Sequence, residues 1–196
     1  GKSENSAAPS AARTTPQTPN PLPSPMLRSF ARTLRFSRLS RSFSTAPKYV
    51  STRGGMEEMG FGDAVLQGLA SDRGLMVPTF LPQFPESAPE MWRGLSFEEL
   101  AYEIMSLYVP DEEIPAEDLK DIINRSYSTF RSPDITPVVP IDDKLNVLEL
   151  FHGPTFAFKD VALQFLGNLF EYLLASRGIE LMTVIGATSG DTGSSA

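Results

Sequence analysis

Between residues 60 and 130 the apolar positions recur every three or four residues, which is the spacing of one face of a helix. Ser96 is followed three residues later by Glu99, a capping box that predicts the start of one helix. Asp63 can cap an earlier helix, and Pro115 suits the first turn of a later one. The first helix carries the apolar residues Ala64, Val65, Leu66 and Leu69, and Leu100, Ile104 and Leu107 share one stripe of the second. In the third helix Leu119, Ile122 and Ile123 are expected to face inward.

Extended segments precede and interrupt this helical region. Residues 49–53 (YVSTR) have the composition of a short strand, which Gly54 and Gly55 end. Gly74 closes the first helical stretch, and an extended loop is expected to follow it, held by Pro78, Pro82, Pro85 and Pro89. These patterns predict a small, mostly helical and acidic domain over residues 48–132.

After residue 133 strand-like and helical segments alternate. Residues 137–141 and 146–150 predict a hairpin, residues 161–176 a helix that is apolar over most of its circumference, and residues 181–187 a buried strand of a parallel sheet. This order predicts an α/β fold, with the beginning of a second domain at residues 133–196. The sequence stops in a loop that would normally open another helix, so we expect it to be a fragment.

Charge is distributed unevenly along the chain. The net charge is −7, but residues 1–47 carry +6 and the rest −13, which argues against nucleic acid as a partner of the folded part. There is no cysteine and one histidine, His152, so disulfides are excluded and a metal site is not expected. No apolar run approaches the ~20 residues that span a bilayer, so no membrane segment is predicted.

The first 47 residues are predicted to be disordered, because residues 1–25 are rich in Pro, Ser and Thr and have few large apolar side chains. Residues 26–44 begin MLRSFARTLRFSRL, with arginine every three or four residues and no acidic residue before Glu57. This is typical of a mitochondrial presequence that starts at Met26 and is removed near Thr45. The alternative is a disordered basic arm, in which case the protein would be cytoplasmic.

A lysine lies in an apolar context at the start of the predicted helix 161–176. Lys159 follows Phe158 in the segment FHGPTFAFKD, residues 151–160. Burial lowers a lysine's pKa, and a neutral amine can form a Schiff base with an aldehyde cofactor. Alternatively, Asp160 caps the helix and pairs with Lys159; spacing alone favours this interpretation, since most lysines are surface charges.

A glycine-rich loop follows the predicted strand 181–187. It consists of Ser189, Gly190, Asp191, Thr192 and Gly193. Its glycines can bring backbone N–H groups towards an anion, and a helix N-terminus beyond them would add its dipole. Phosphate or carboxylate would fit equally well. The segment matches neither the ATP-binding P-loop nor the dinucleotide fingerprint.

Taken together, the segments LFHGPTFAFKD (150–160) and GATSGDTG (186–193) closely resemble the threonine synthases of fungi and bacteria, which are pyridoxal-phosphate (PLP) enzymes of fold type II. The segments YVSTRG (49–54), FGDAV (61–65), GLA (68–70) and DRGL (72–75) resemble the N-terminal domain of that family. The resemblance covers residues 49–196.

The resemblance implies that Lys159 binds PLP and moves protons at the substrate's α-carbon. It implies that the loop Ser189, Gly190, Asp191, Thr192 and Gly193 faces the cofactor ring and the substrate carboxylate, although a charged Asp191 would be repelled by the 3′-oxygen of PLP, so its role stays open. The expected reaction converts O-phosphohomoserine and water into threonine and phosphate. No oligomeric state is implied.

The sequence also allows other interpretations of the protein's activity. In this family the loop that holds the PLP phosphate lies further along than Ala196, so the chain by itself is expected to be unstable and inactive, with residues 182–187 as an exposed edge. A related phospho-lyase that releases phosphate without making threonine has the same lysine motif. A third alternative is a non-catalytic truncated product that binds a partner chain or nothing.

Overall fold

A computed structural model describes residues 46–196, and these begin with a two-stranded antiparallel sheet. Strand β1 (Tyr49–Ser51) pairs with β2 (Met76–Pro78), with Tyr49 opposite Pro78. The predicted strand at residues 49–53 is thereby confirmed in its first part. Pro78, which was expected in a loop, instead ends β2, a position where its missing N–H costs little. The predicted presequence at residues 26–44 lies outside the described residues.

Helix α1 (Phe61–Gln67) is capped by a residue distant in the sequence. The carboxylate of Glu113 accepts hydrogen bonds from the backbone N–H groups of Phe61 (3.0 Å) and Gly62 (2.7 Å). Asp63, the predicted cap, makes no capping hydrogen bond; it lies within the first turn and pairs with Arg177 at 2.7 Å. The prediction was wrong because Glu113 satisfies the free N–H groups that Asp63 was expected to satisfy.

Replacing Glu113 by alanine is expected to lower the free energy of unfolding by about 1–2 kcal/mol, since two helix N–H groups lose their acceptor. The measurement is urea unfolding followed by circular dichroism. Glu112→Ala is the matched control, because Glu112 is exposed and should change the unfolding free energy by less than about 0.5 kcal/mol. Equal effects of the two variants would contradict the capping role.

Helix α2 (Ala88–Trp92) is short, and α3 (Phe97–Met105) begins at the predicted capping box. The N–H of Glu99 donates to the Ser96 hydroxyl at 3.1 Å, and the N–H of Ser96 donates to the Glu99 carboxylate at 2.8 Å, which confirms the prediction. The predicted inward stripe is displaced by one position: Ala101 is buried, whereas Leu100, Ile104 and Leu107 are half-buried.

The core lies between α4 (Ala116–Tyr127) and α5 (Asp160–Ser176), two helices that pack on each other. Leu119, Ile122 and Ile123 are about 1% exposed, as predicted, and they pack with Leu169 and Leu173 of α5. Among the described residues, the other large apolar side chains of α5 are only half-buried, and Ala162 and Ala175 are exposed, so burial is narrower than predicted. The division at residues 132 and 133 stays a prediction.

Strands β3 (Val138–Pro140) and β4 (Asn146–Leu148) form the predicted antiparallel hairpin. The carboxylate of Asp142 accepts hydrogen bonds from the N–H groups of Lys144 (2.8 Å) and Leu145 (2.9 Å) and so holds the turn. A helix was expected to follow the glycine-rich loop; helix α6 (Asp191–Ser195) instead begins within that loop.

Residues 181–187 do not form the predicted strand. Leu181 is 82% and Ile185 92% exposed, and no strand within residues 46–196 lies beside them. A parallel strand exists only through hydrogen bonds to its neighbours, so a correct apolar pattern cannot form one alone. The described residues therefore contain helices and two small antiparallel sheets, without the parallel sheet of the predicted α/β domain. No helix between residues 46 and 196 is both long and apolar enough to span a membrane.

Candidate active site

Lys159 lies at the N-cap position of α5, in helical backbone geometry (φ −65°, ψ −21°). Its side chain is 27% exposed, and its Nζ lies 4.4 Å from the centre of the Phe158 ring. The hydroxyl of Tyr127 donates to the carbonyl oxygen of Val161 at 3.0 Å, which ties this first turn of α5 to α4. The lysine is thus held at the end of a helix whose remainder packs in the core.

The two motifs singled out in the sequence lie side by side. The Nζ of Lys159 is 3.7 Å from a carboxylate oxygen of Asp191, the first residue of α6. Thr192 lines the same hollow as Lys159. The alternative interpretation, in which Asp160 caps α5 and pairs with Lys159, is wrong: Asp160 makes no capping hydrogen bond, and the carboxylate facing Lys159 belongs to Asp191.

Asp160 is fully buried and accepts hydrogen bonds from Thr155. The Thr155 N–H donates to one carboxylate oxygen at 2.8 Å, and the Thr155 hydroxyl donates to the other at 2.7 Å. Burial raises the pKa of Asp160, but hydrogen bonds from Thr155 and Ser195 outweigh it, so this pKa lies below its ordinary value. Asp160 is therefore a buried carboxylate that stays charged at neutral pH.

Ser195, at the end of α6, extends this group of hydrogen bonds. Its hydroxyl lies 3.0 Å from the hydroxyl of Thr155, and its carbonyl oxygen accepts from the Gln164 side chain at 3.4 Å. Ser195 itself is buried. Asp160, Thr155 and Ser195, here called the hydroxyl–carboxylate bridge, thereby connect the segment that carries Lys159 to the segment that carries Asp191.

Gly153 packs directly against this bridge. A Cβ placed on Gly153 would overlap the side chain of Asp160 and would lie 2.7 Å from its Cγ atom. Only a residue without a side chain allows the loop to pass so close to the buried carboxylate.

Arg131 holds the same loop from outside. Its N–H donates to the carbonyl oxygen of His152 (2.9 Å), its guanidinium donates to that of Pro154 (2.9 Å), and its Cζ lies 4.2 Å from the centre of the Phe156 ring. Phe156 has a φ of +63°, a conformation that costs a bulky residue free energy. The contacts of Arg131 help to offset that cost.

In the glycine-rich loop, Gly190 is the N-cap of α6 with a φ of +130°, a conformation that favours glycine. Ser189 and Gly193 are exposed, as is Asp191. The hydroxyl of Thr188 accepts hydrogen bonds from the N–H groups of Gly190 (3.1 Å) and Gly193 (3.0 Å). Two of the N–H groups predicted to face an anion are therefore bound within the loop.

Two open hollows lie at this site, and Lys159 lines the second of them. The first, of about 330 Å³, is lined by Thr155 and Asp191 together with Leu150, Phe151, Phe156, Ala157, Phe158 and Ser194. The second, of about 450 Å³, is lined by Lys159 and Thr192 together with the apolar residues Leu150, Phe158, Val161, Ala162 and Leu163. An amine in an apolar hollow beside a loop of polar groups suits covalent capture of an aldehyde together with binding of an anionic substrate.

Sequence reasoning missed Arg131, Ser195 and the connecting role of Thr155. Thr155 and Ser195 are small hydroxyl residues, of a kind found throughout loops, and their contact joins segments far apart in the sequence. The positive φ of Phe156 has no sequence signal, since phenylalanine does not favour it.

A family model described as the N terminus of threonine synthase matches residues 48–127. A threonine synthase of Schizosaccharomyces pombe is 55% identical over 160 residues, which covers 78% of this chain and 31% of the relative.

Solved structures of similar proteins agree with this match. The crystal structure of threonine synthase from yeast has a TM-score of 0.72 and 51% identity, covering 78% of this chain and 33% of that one. A PLP-bound threonine synthase from Brucella melitensis has a TM-score of 0.73 and 47% identity, covering 76% of this chain and 32% of that one. The chain spans about a third of the length of the relatives it matches.

Proposed function

We infer that this chain belongs to the threonine synthase family, which its motifs resemble. We propose that the protein is a PLP-dependent threonine synthase, which converts O-phosphohomoserine and water into threonine and phosphate. The observation that carries the proposal is the position of Lys159, whose amine lies 3.7 Å from Asp191 of the second motif. Two segments that resemble the family separately in sequence are thus neighbours in space.

The residues around Lys159 fit an aldehyde cofactor. The amine borders a hollow of about 450 Å³ whose other residues are largely apolar, and such surroundings suit a planar aromatic ring. The similar threonine synthase from Brucella melitensis is PLP-bound in its crystal structure. When bound, PLP would supply an electron sink for the substrate's carbanions.

The roles of the chain's own residues follow from this placement. Lys159 would hold the cofactor and, once its amine is released, move a proton at the substrate's α-carbon. The loop Ser189, Gly190, Asp191, Thr192 and Gly193 would lie beside the substrate carboxylate. Because the amine is 3.7 Å from its carboxylate, we assign Asp191 to an electrostatic contact with Lys159.

The test uses the complete protein with PLP and O-phosphohomoserine, and it measures threonine and phosphate in the same reaction. Equal amounts of both products are expected. Phosphate without threonine would overturn the proposal in favour of a phospho-lyase, and neither product would favour a non-catalytic protein. Borohydride reduction and peptide mapping should then place the pyridoxyl group on Lys159; label on another lysine would overturn the assignment of that residue.

We also propose that residues 26–44 direct import into mitochondria, on the basis of their arginine spacing and lack of acidic residues. A reporter fused to residues 26–60 should enter mitochondria and be cleaved near Thr45. The matched control replaces Arg28, Arg32, Arg35 and Arg38 by glutamine and should remain outside. If the unmodified fusion stays cytosolic and uncleaved, the segment is a basic arm and the protein is cytoplasmic.

A further inference from the structure

The hydroxyl–carboxylate bridge joins two buried polar residues, Asp160 and Ser195, through the half-buried Thr155. Asp160 is fully buried, and within residues 46–196 its carboxylate makes no ion pair. Burying a charge without a cation is costly unless hydrogen bonds replace its hydration. Both oxygens of Asp160 are instead occupied by the N–H and the hydroxyl of Thr155.

The bridge lies where it can fix the distance between the two parts of the site. Asp160 directly follows Lys159, so the hydrogen bonds that hold its carboxylate also restrain the backbone next to the amine-bearing residue. Ser195 is the last residue of α6, whose first residue is Asp191. The contact of 3.0 Å between the Thr155 and Ser195 hydroxyls, together with the hydrogen bond from Ser195 to Asp160, therefore connects the lysine segment to the glycine-rich loop.

Few other contacts could perform this task among the described residues. The direct contact between Lys159 and Asp191 is a 3.7 Å ion pair whose carboxylate side chain is 68% exposed, and exposed ion pairs stabilise weakly. The Gln164–Ser195 hydrogen bond is long, at 3.4 Å. The hydrogen bonds of the bridge are shorter, at 2.7 and 3.0 Å, and both of its ends are buried, so it is the stiffer of these connections.

We propose that Asp160, acting through Thr155 and Ser195, is a positioning residue that holds Lys159 at working distance from the loop at residues 188–193. The effect of this positioning on catalysis rests on the proposed function. Its effect on the loop at residues 188–193 does not. The bridge does not touch the reacting atoms; it sets where the amine stands relative to the loop that would face the substrate.

The test compares Thr155→Val with Thr155→Ser in the complete protein. Valine keeps the shape of threonine but lacks the hydroxyl that contacts both Asp160 and Ser195, whereas serine retains it. The matched control is Ser126→Ala, which removes another buried hydroxyl, donating to the Ile122 carbonyl at 2.6 Å in the interface of α4 and α5. This control should lower stability to a similar extent without touching the bridge.

The first measurement is amide hydrogen exchange of the peptide at residues 188–196, without PLP. Thr155→Val is expected to exchange about fivefold faster there than the unmodified protein, the factor that loss of one hydrogen bond gives. Thr155→Ser and Ser126→Ala should leave that segment unchanged. If Thr155→Val exchanges no faster than Ser126→Ala, the bridge does not hold the loop and the inference is overturned.

The second measurement is turnover of O-phosphohomoserine by the protein loaded with PLP. Thr155→Val is expected to lower kcat about tenfold with a smaller change in KM, and Thr155→Ser should restore most of kcat. Faster exchange with an unchanged kcat would overturn the positioning role. If the unmodified protein makes no threonine, the proposed function fails, and the exchange result still decides whether the bridge holds the loop.

Discussion

Replacement of Lys159 by alanine is expected to reduce threonine formation by about 10⁴-fold, the upper range for loss of a positioned acid–base group. The free energy of unfolding should change little, because the side chain is partly exposed and contributes only a contact over Phe158 and a 3.7 Å ion pair. The measurements are kcat with O-phosphohomoserine and urea unfolding of the same preparation.

Two further variants separate chemistry from charge. Lys159→Arg keeps a cation beside Asp191 but cannot form the Schiff base at neutral pH, so it should be as inactive as alanine. Lys144→Ala is the matched control, since Lys144 lies in the exposed turn between β3 and β4, and it should retain full activity. Substantial activity of Lys159→Arg would exclude covalent capture by this residue.

Gly153→Ala is expected to lower the free energy of unfolding by about 3 kcal/mol. The new Cβ would overlap the side chain of Asp160, which cannot move aside because it is fully buried and hydrogen-bonded to Thr155 through both oxygens. The loop must shift or the buried carboxylate must lose a donor, and either is costly. Thermal and urea unfolding measure the loss.

The matched control is the same substitution at Gly167 of α5. A Cβ at Gly167 meets nothing within 4 Å, and alanine is the better helix former, so Gly167→Ala should raise the free energy of unfolding by about 0.5–1 kcal/mol. The two substitutions are chemically identical, so opposite signs identify the close approach at Gly153 as the cause. A stabilising or neutral Gly153→Ala would contradict this packing.

Features that depend on neighbouring residues in the sequence were predictable. The capping box of Ser96 and Glu99 and the turn at Asp142 both arise from contacts within a few residues. Their free energies are local, so the pattern alone identifies them.

Features that join distant segments were not predictable. Glu113 caps α1 across about fifty positions of sequence, and no local pattern distinguishes it from Glu112. The strand predicted at residues 181–187 does not form, for a related reason: its hydrogen bonds must come from other strands. In the site, Lys159 and the glycine-rich loop were predicted separately, whereas the bridge that fixes their distance depends on Thr155 and Ser195, which carry no distinctive signal.

The position of the Thr188 hydroxyl has a consequence for how tightly the glycine-rich loop can bind a negatively charged group. Because this hydroxyl already accepts hydrogen bonds from Gly190 and Gly193, an incoming anion competes with the chain's own acceptor for the same donors. The affinity then reflects an exchange of one acceptor for another, not the full strength of two new hydrogen bonds. Such a loop keeps its shape without an anion, and it would bind one more weakly than a loop whose N–H groups were free.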